Sequence, residues 1–218
     1  MRRNPMATLI EALFVDIGGV LLSDGWGRAS RTRAAQEFGL DAQELEDRHH
    51  QAFEAYEVDK IDLDRYLELV VFHRERPFTI ASFRRFMFAE STPIPEMLRL
   101  VRDLKVEHGL KVVAVSNEGR ELNDHRIARF HLDEVVDFFV SSCYVGLRKP
   151  DPDIFRLALD ASRTRPENVA YIENTPMFAD IADGLGIHGI LHVDPASTRK
   201  SLASLRWRDG KARSHGVY

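Results

Sequence analysis

The sequence predicts an α/β fold: a parallel β-sheet covered by helices on both faces, with an all-helical segment inserted after the first strand. Three observations lead there. Short runs of β-branched and aromatic residues recur at 9–15, 111–115, 135–140, 168–172 and 189–193. Helical patterns separate the later runs, and strands that alternate with helices build parallel sheets buried on both sides. About 95 residues separate the first two runs, far more than a strand–helix–strand crossover needs.

Each element follows from local chemistry. The run at 9–15 closes on Asp16-Ile17-Gly18-Gly19-Val20, which puts a carboxylate at the carboxyl edge of the sheet, where open α/β sheets bind ligands. From Asp24 to about Thr92 there is no convincing strand but four helical patterns: 29–38 ending at Gly39, 41–57 with Asp41 and Glu44 at capping-box spacing, 62–72, and 79–90. Because this segment leaves the loop after Asp16, it is expected to sit over that edge as a lid, dividing the chain into a core of 1–22 and 92–218 and a helical cap of 23–91. The helix expected at 95–107 carries Met97, Leu98, Val101 and Leu104 on one face and stops at Gly109. Patterns at 122–130 and 176–185 supply two more helices, and Asp151-Pro152-Asp153 starts another.

Composition narrows the class. The chain has 218 residues, 44% apolar and 29% charged, as expected of a globular protein with one substantial core. Its net charge of -4 argues against nucleic acid as a partner, and no run approaches the roughly 20 apolar residues of a membrane span. Met1-Arg2-Arg3-Asn4-Pro5 is basic like the start of a signal peptide, but Glu11 and Asp16 interrupt the apolar stretch that follows, so it reads as a core strand. The single cysteine, Cys143, fits a reducing, cytoplasmic setting.

Four polar segments follow strand-like runs in the order Asp16, Ser116-Asn117, Lys149-Pro150, Glu173-Asn174. Brought together, they make a phosphoryl-transfer site. Asp16 is the candidate nucleophile, Ser116 and Asn117 offer donors to phosphate oxygens, and Lys149 offsets the negative charge that repels an anionic attacker. Glu173 and Asn174, with Asp16 and the main-chain carbonyl of Gly18, offer hard oxygens to Mg2+.

These segments resemble the four ordered motifs of the haloacid dehalogenase-like hydrolase superfamily, with Gly146-Leu147-Arg148-Lys149-Pro150-Asp151-Pro152 as the third and Tyr171-Ile172-Glu173-Asn174 as the fourth. An inserted helical cap between the first two motifs is similar to one large branch of that superfamily, so the resemblance spans nearly the whole chain. It implies a Rossmann-like core, an aspartyl nucleophile and Mg2+-dependent phosphatase activity on a small phosphorylated, sugar-phosphate-like metabolite.

Two departures qualify what the resemblance implies. Phosphatases of the family usually carry a second Asp two positions after the nucleophile to protonate the leaving group; Gly18 stands there, as it does in some sugar-phosphate phosphatases of this branch. Asp24 lies in the exit loop as a substitute acid, against a turn role before Gly25. The second departure is Glu173-Asn174 in place of two aspartates. An Asn at the second position resembles the metal-independent 2-haloacid dehalogenases, which place an aromatic residue where this chain has Gly18. A third reading is a catalytically degenerate binding protein of the same fold.

Plainer roles compete at each site. Ser116 and Asn117 suit a helix cap, Lys149 a surface loop, and Glu173-Asn174 a polar strand end. Trp26 and Arg28, where insert meets core, are candidate substrate contacts or else a hinge contact and a surface cation. Gly184-Leu185-Gly186-Ile187-His188-Gly189 matches a dinucleotide fingerprint but follows a helix and precedes a strand, the reverse of what that motif requires. His49, His50 and His73 have no metal-ligand spacing and read as packed or solvated. From Ser197 onward the basic residues Arg199, Lys200, Arg206, Arg208, Lys211 and Arg213 read as a solvated, partly disordered terminus.

Overall fold

A computed structural model describes residues 9–209. Five parallel strands, β1 (Ala12–Val15), β2 (Lys111–Ser116), β3 (Phe138–Ser141), β4 (Val169–Glu173) and β5 (His188–Leu191), form one sheet in the order β3-β2-β1-β4-β5. The first strand is central, so the chain turns in opposite directions on its two sides, and that switch opens a crevice at the carboxyl edge.

Alternation along the strands sends side chains to two cores. Leu13, Val15, Val112, Ala114, Ala170 and Ile172 pack on one face beneath α5 (Pro95–His108). Phe14, Val113, Val115 and Tyr171 pack on the other against Ile154, Phe155 and Ala158 of α8 (Asp153–Ser162). Helices α6 (Arg120–Phe130) and α9 (Pro176–Gly184) complete the two layers, and the one-turn α7 (Ser142–Val145) follows β3. Gly109 ends α5 in the left-handed conformation at φ 60°, as expected for a glycine terminator.

Between β1 and β2 lie α1 (Arg28–Glu37), α2 (Ala42–Glu57), α3 (Leu63–Val70) and α4 (Ile80–Ala89). Asp41, Asp62 and Thr79 cap the last three through side-chain bonds to the amides of Glu44, Arg65 and Ser82. These helices bury a cluster of their own, centred on Tyr56, Tyr66, Leu67, Phe83 and Met87. Tyr56 and Tyr66 stack with ring centroids 5.3 Å apart. Both connections to the sheet run side by side: the Ser23 amide donates to the Thr92 carbonyl at 2.8 Å, and the Ile94 amide to Leu21 at 2.9 Å.

Two expectations change. The strand expected at 9–15 begins only at Ala12, because Leu9 is 39% exposed and Ile10 makes an isolated bridge to Trp207. The chain after Ser197 is no solvated tail as far as residue 209. Helix α10 (Pro195–Ala203) opens on a capping box formed by Asp194 and Ser197, buries Leu202, and leads to Trp207 packed on the core. Asp194-Pro195 carries the same start signal as Asp151-Pro152, and the basic residues Arg199 and Lys200 occupy the exposed face of that helix. Residues 1–5, Lys211 and Arg213 lie outside the described residues. No helix among the described residues is long and apolar enough to cross a membrane.

Candidate active site

Strand register sets the geometry. Val15 pairs with Ala114 on one side and Ile172 on the other, so Asp16 emerges between the ends of β2 and β4. Its amide donates to the Ile172 carbonyl at 3.0 Å, and its Oδ1 accepts from the Ile17 amide at 2.8 Å. Asp16 is 8% exposed, enough for one edge to reach the cavity.

Lys149 is the hub of the site. Its Nζ lies 3.2 Å from Asp16 Oδ1, 2.7 Å from Glu173 Oε2 and 3.0 Å from the Tyr171 hydroxyl, which uses all three of its protons. Phe178 lies beneath it, with the ammonium 5.0 Å from the ring centroid. Burial opposes its charge, but Asp16 and Glu173 outweigh that and hold its pKa above the ordinary value. Asp16 is raised as well, but by burial itself: loss of solvent lifts it to about 6, against the pull of Lys149 and with the push of Glu173.

Glu173 and Asn117 stand differently from their expected roles. Fully buried, Glu173 accepts through Oε1 from the Thr175 amide at 2.8 Å and through Oε2 from Lys149 and the Tyr171 hydroxyl. Neither oxygen is turned to the cavity, so this carboxylate orients Lys149. Asn117, expected at a phosphate, spends its amide on the backbone of Lys149 in two bonds of 2.8 Å. Ser116 is buried beside Asp16 and lines the cavity.

The cavity measures about 270 Å³. Asp16, Gly18, Ser116, Lys149 and Asn174 line it from the sheet, and Trp26, Arg28, Phe53 and Glu57 from the helical insert. Trp26 is an anchor of the insert, its indole donating to the Tyr66 hydroxyl at 2.8 Å, with one edge left on the cavity. Arg28 is exposed, and among the described residues its guanidinium makes no hydrogen bond or ion pair. Arg31, by contrast, is consumed by Glu46 and the Trp26 carbonyl.

Asn174 and Asp24 meet above Gly19, where Nδ2 donates to Asp24 Oδ1 at 3.4 Å. Gly19 is required there. Its φ is 73°, and a Cβ would stand 2.0 Å from Asn174 Nδ2 and 2.7 Å from Asp24 Oδ1. Asn174 spends its nitrogen on Asp24, and its side-chain oxygen has no hydrogen-bond partner among the described residues.

Among the described residues no group of three or more His, Cys, Asp or Glu side chains stands together as a metal cluster. The oxygens that do line the cavity, from Asp16, Gly18, Asn174 and Asp24, are hard donors with few carboxylates, which fits Mg2+ bound largely through water. Glu173 does not belong to that set.

Among the cavity residues that the sequence does not single out are Glu118 and Arg126. Glu118 directly follows Ser116-Asn117, so its position alone could have drawn notice; Arg126 sits on a helix with no apolar stripe and left no signal. Both are almost wholly buried, and Arg126 Nη1 pairs with Glu118 Oε1. Arg126 also donates to Ser91 Oγ at 3.0 Å and to the Ser23 carbonyl at 2.6 Å, tying the site to both connections of the insert.

A model of the haloacid dehalogenase-like hydrolase family matches residues 10–182, and the chain belongs to that family of hydrolases. It is 26% identical over 200 residues to a phosphorylated carbohydrates phosphatase from Thermotoga maritima, covering 84% of this chain and 86% of that one. It is 31% identical over 124 residues to the bifunctional epoxide hydrolase 2 of Rattus norvegicus, where the match covers 55% of this chain and only 22% of the relative. Among solved structures, a family enzyme from Bacteroides thetaiotaomicron in complex with magnesium and inorganic phosphate superposes with a TM-score of 0.71 at 18% identity, covering 84% and 93% of the two chains. A dehalogenase superposes with a TM-score of 0.64 at 21% identity, covering 91% and 92%. At these identities the structural likeness speaks for the fold: a Rossmann-like parallel sheet with helices around it.

Proposed function

We propose that this hydrolase is a Mg2+-dependent phosphatase of a small phosphorylated, sugar-phosphate-like metabolite. The observation that carries the reading is the buried contact of 3.2 Å between Asp16 Oδ1 and Lys149 Nζ at the floor of a small, oxygen-lined cavity. An anionic nucleophile approaches an anionic phosphoryl group only where fixed positive charge offsets the repulsion, and Lys149 is held in place by Glu173, Tyr171 and Asn117 to supply it.

The free oxygen of Asp16 attacks phosphorus, forming an Asp16–phosphate bond as the bond to the leaving oxygen breaks. Water then attacks the phosphorus, releases inorganic phosphate and restores the carboxylate. Lys149 stabilises the charge in both displacements, and the Ser116 hydroxyl donates to a phosphoryl oxygen. Mg2+, held by Asp16, the Gly18 carbonyl and the Asn174 side chain, would neutralise phosphate charge. Magnesium in the Bacteroides enzyme and the activity named for the Thermotoga relative support this reading.

The helices of 23–91 act as the cap in this reading. Trp26 walls the cavity, while Arg28, whose guanidinium has no partner among the described residues, contacts the body of the substrate together with Asp24. A cavity of about 270 Å³ suits a small metabolite. The protein works in the cytoplasm, on a metabolite rather than on nucleic acid or at a membrane.

The test is phosphate release from a panel of phosphorylated metabolites with Mg2+, repeated with EDTA. Release that EDTA stops and Mg2+ restores is expected; no release from any of them, beside an active control enzyme, overturns the reading. Asn174 favours a second reading, dehalogenation of a short 2-haloacid, which predicts halide release indifferent to EDTA.

A further inference from the structure

Gly18 leaves the site without a carboxylate at the position two residues past the nucleophile. Space there is open but not vacant of chemistry: a Cβ built on Gly18 would stand 3.8 Å from Arg126 Nη1, the nitrogen that pairs with Glu118. Glu118 thus reaches the same corner of the cavity from the end of β2. We infer that Glu118 is the general acid and base of the reaction, taking the part that a side chain at position 18 would otherwise play. The inference rests on the phosphatase reading of the site.

Glu118 is only 4% exposed, yet it lines the cavity with Asp16 and Lys149. Only Oε1 is bound by Arg126, so Oε2 is the oxygen left for proton transfer. The Ser116 hydroxyl neighbours both Asp16 and Glu118. Burial raises the pKa of Glu118 above the ordinary glutamate value, against the pull of Arg126, and keeps a proton on it closer to neutral pH. Other carboxylates on the cavity are less suited. Glu57 stands on α2 of the insert rather than beside Gly18, with Nε and Nη2 of Arg148 on its Oε2, and Asp24 is exposed and holds Asn174.

The proton balance is closed. As Asp16 forms its bond to phosphorus, the P–O bond to the leaving group breaks and the departing oxygen takes the proton of Glu118, leaving a carboxylate. That carboxylate then takes a proton from the water that attacks the phosphoaspartate, so Glu118 ends the cycle protonated and Asp16 free.

The experiment compares wild type and Glu118→Gln on alkyl phosphates and on p-nitrophenyl phosphate. An alkoxide needs the proton to leave and p-nitrophenolate does not. The variant is expected to lose about 10²-fold or more on alkyl phosphates. On p-nitrophenyl phosphate it should give a burst of one nitrophenol per enzyme followed by slow turnover, because only the second step then lacks its base. Equal loss on both substrates with no burst, or the same pattern from Asp24→Asn in place of Glu118→Gln, overturns the assignment. Wild type that releases no phosphate sinks the phosphatase reading itself.

If Glu118→Gln does not fold, the wild-type pH profiles decide. With alkyl phosphates kcat/KM should fall at high pH as Glu118 loses its proton, a limb absent with p-nitrophenyl phosphate. The neighbours that face Glu118 are Arg126 on α6, Lys149, Asp16, Tyr56 and Glu57 on α2, and Cys143. Their titration moves both substrates alike, so coincident profiles overturn the role.

Discussion

Asn117 and Lys149 hold each other through two hydrogen bonds of 2.8 Å, the Lys149 amide donating to Oδ1 and Nδ2 donating back to the Lys149 carbonyl. An asparagine at the end of one strand thereby fixes the backbone that presents the site's ammonium. Asn117→Ala should lower kcat about 10- to 100-fold with a smaller change in KM, because the ammonium loses its aim while the cavity walls remain. Asn117→Asp keeps the acceptor and loses the donor, so it should fall between. A steady-state comparison of the three proteins checks this; an Ala variant with full kcat would mean that Glu173 and Tyr171 suffice.

Asp16→Asn separates chemistry from stability. The amide cannot attack phosphorus, so phosphate release should fall at least about 10³-fold. Burial raises the Asp16 pKa from 3.8 to about 6, so the folded state takes up a proton more readily than the unfolded chain. Its contribution to stability is therefore full below the unfolded value and lost as pH rises through about 6. With EDTA present, the variant should melt at or above the wild-type temperature at pH 8, and that advantage should shrink toward pH 4.5. A variant that melts lower at pH 8 would show that the Lys149 pairing outweighs the burial of the charge.

Gly119 lets the helical insert sit down on the sheet. A Cβ at that position would stand 1.9 Å from Cε1 of Tyr56, whose hydroxyl accepts from the Leu122 amide at 3.4 Å. Gly119→Ala drives the ring away and should cost about 1–3 kcal/mol in urea unfolding. It should also raise KM, since Phe53 and Glu57 on the same helix line the cavity. Tyr56→Phe leaves the ring in place and removes only the hydroxyl, so its KM should stay near the wild-type value.

Much of this architecture was legible because punctuation and periodicity act locally. Asp41, Asp62 and Thr79 announce their helices, and the runs at 9–15, 111–115 and 168–172 end where Asp16, Ser116 and Glu173 begin. What escaped is what depends on approach in space. Nothing in the sequence says that Glu173 turns inward to Lys149, because a strand residue shows which face it occupies only once its neighbours are known. Arg126 escaped for a similar reason: a buried arginine reads like a surface one until Glu118 and the Ser23 carbonyl are seen to satisfy it. Helix α10 was legible through Asp194-Pro195, and the run of basic residues from Arg199 onward was the misleading cue.

His49 gives the fold a dependence on pH far from the active carboxylates. The Tyr66 hydroxyl accepts from the Trp26 indole at 2.8 Å and also hydrogen-bonds, at 2.8 Å, the Nδ1 of the buried His49 imidazole. Burial, reinforced by Arg31, lowers its pKa from 6.5 to about 3. Below pH 6.5 the unfolded chain binds a proton that the folded chain refuses, so this contribution to stability is complete above 6.5 and drains away as pH falls toward 3. The slope from one such proton is at most about 1.4 kcal/mol per pH unit. His49→Phe cannot take that proton. It should be less stable than wild type at pH 7, where the bond to Tyr66 is lost, and its stability should decline less steeply between pH 6.5 and 4.5. Urea unfolding across that range measures both slopes, and parallel curves would place the acid sensitivity of the fold elsewhere.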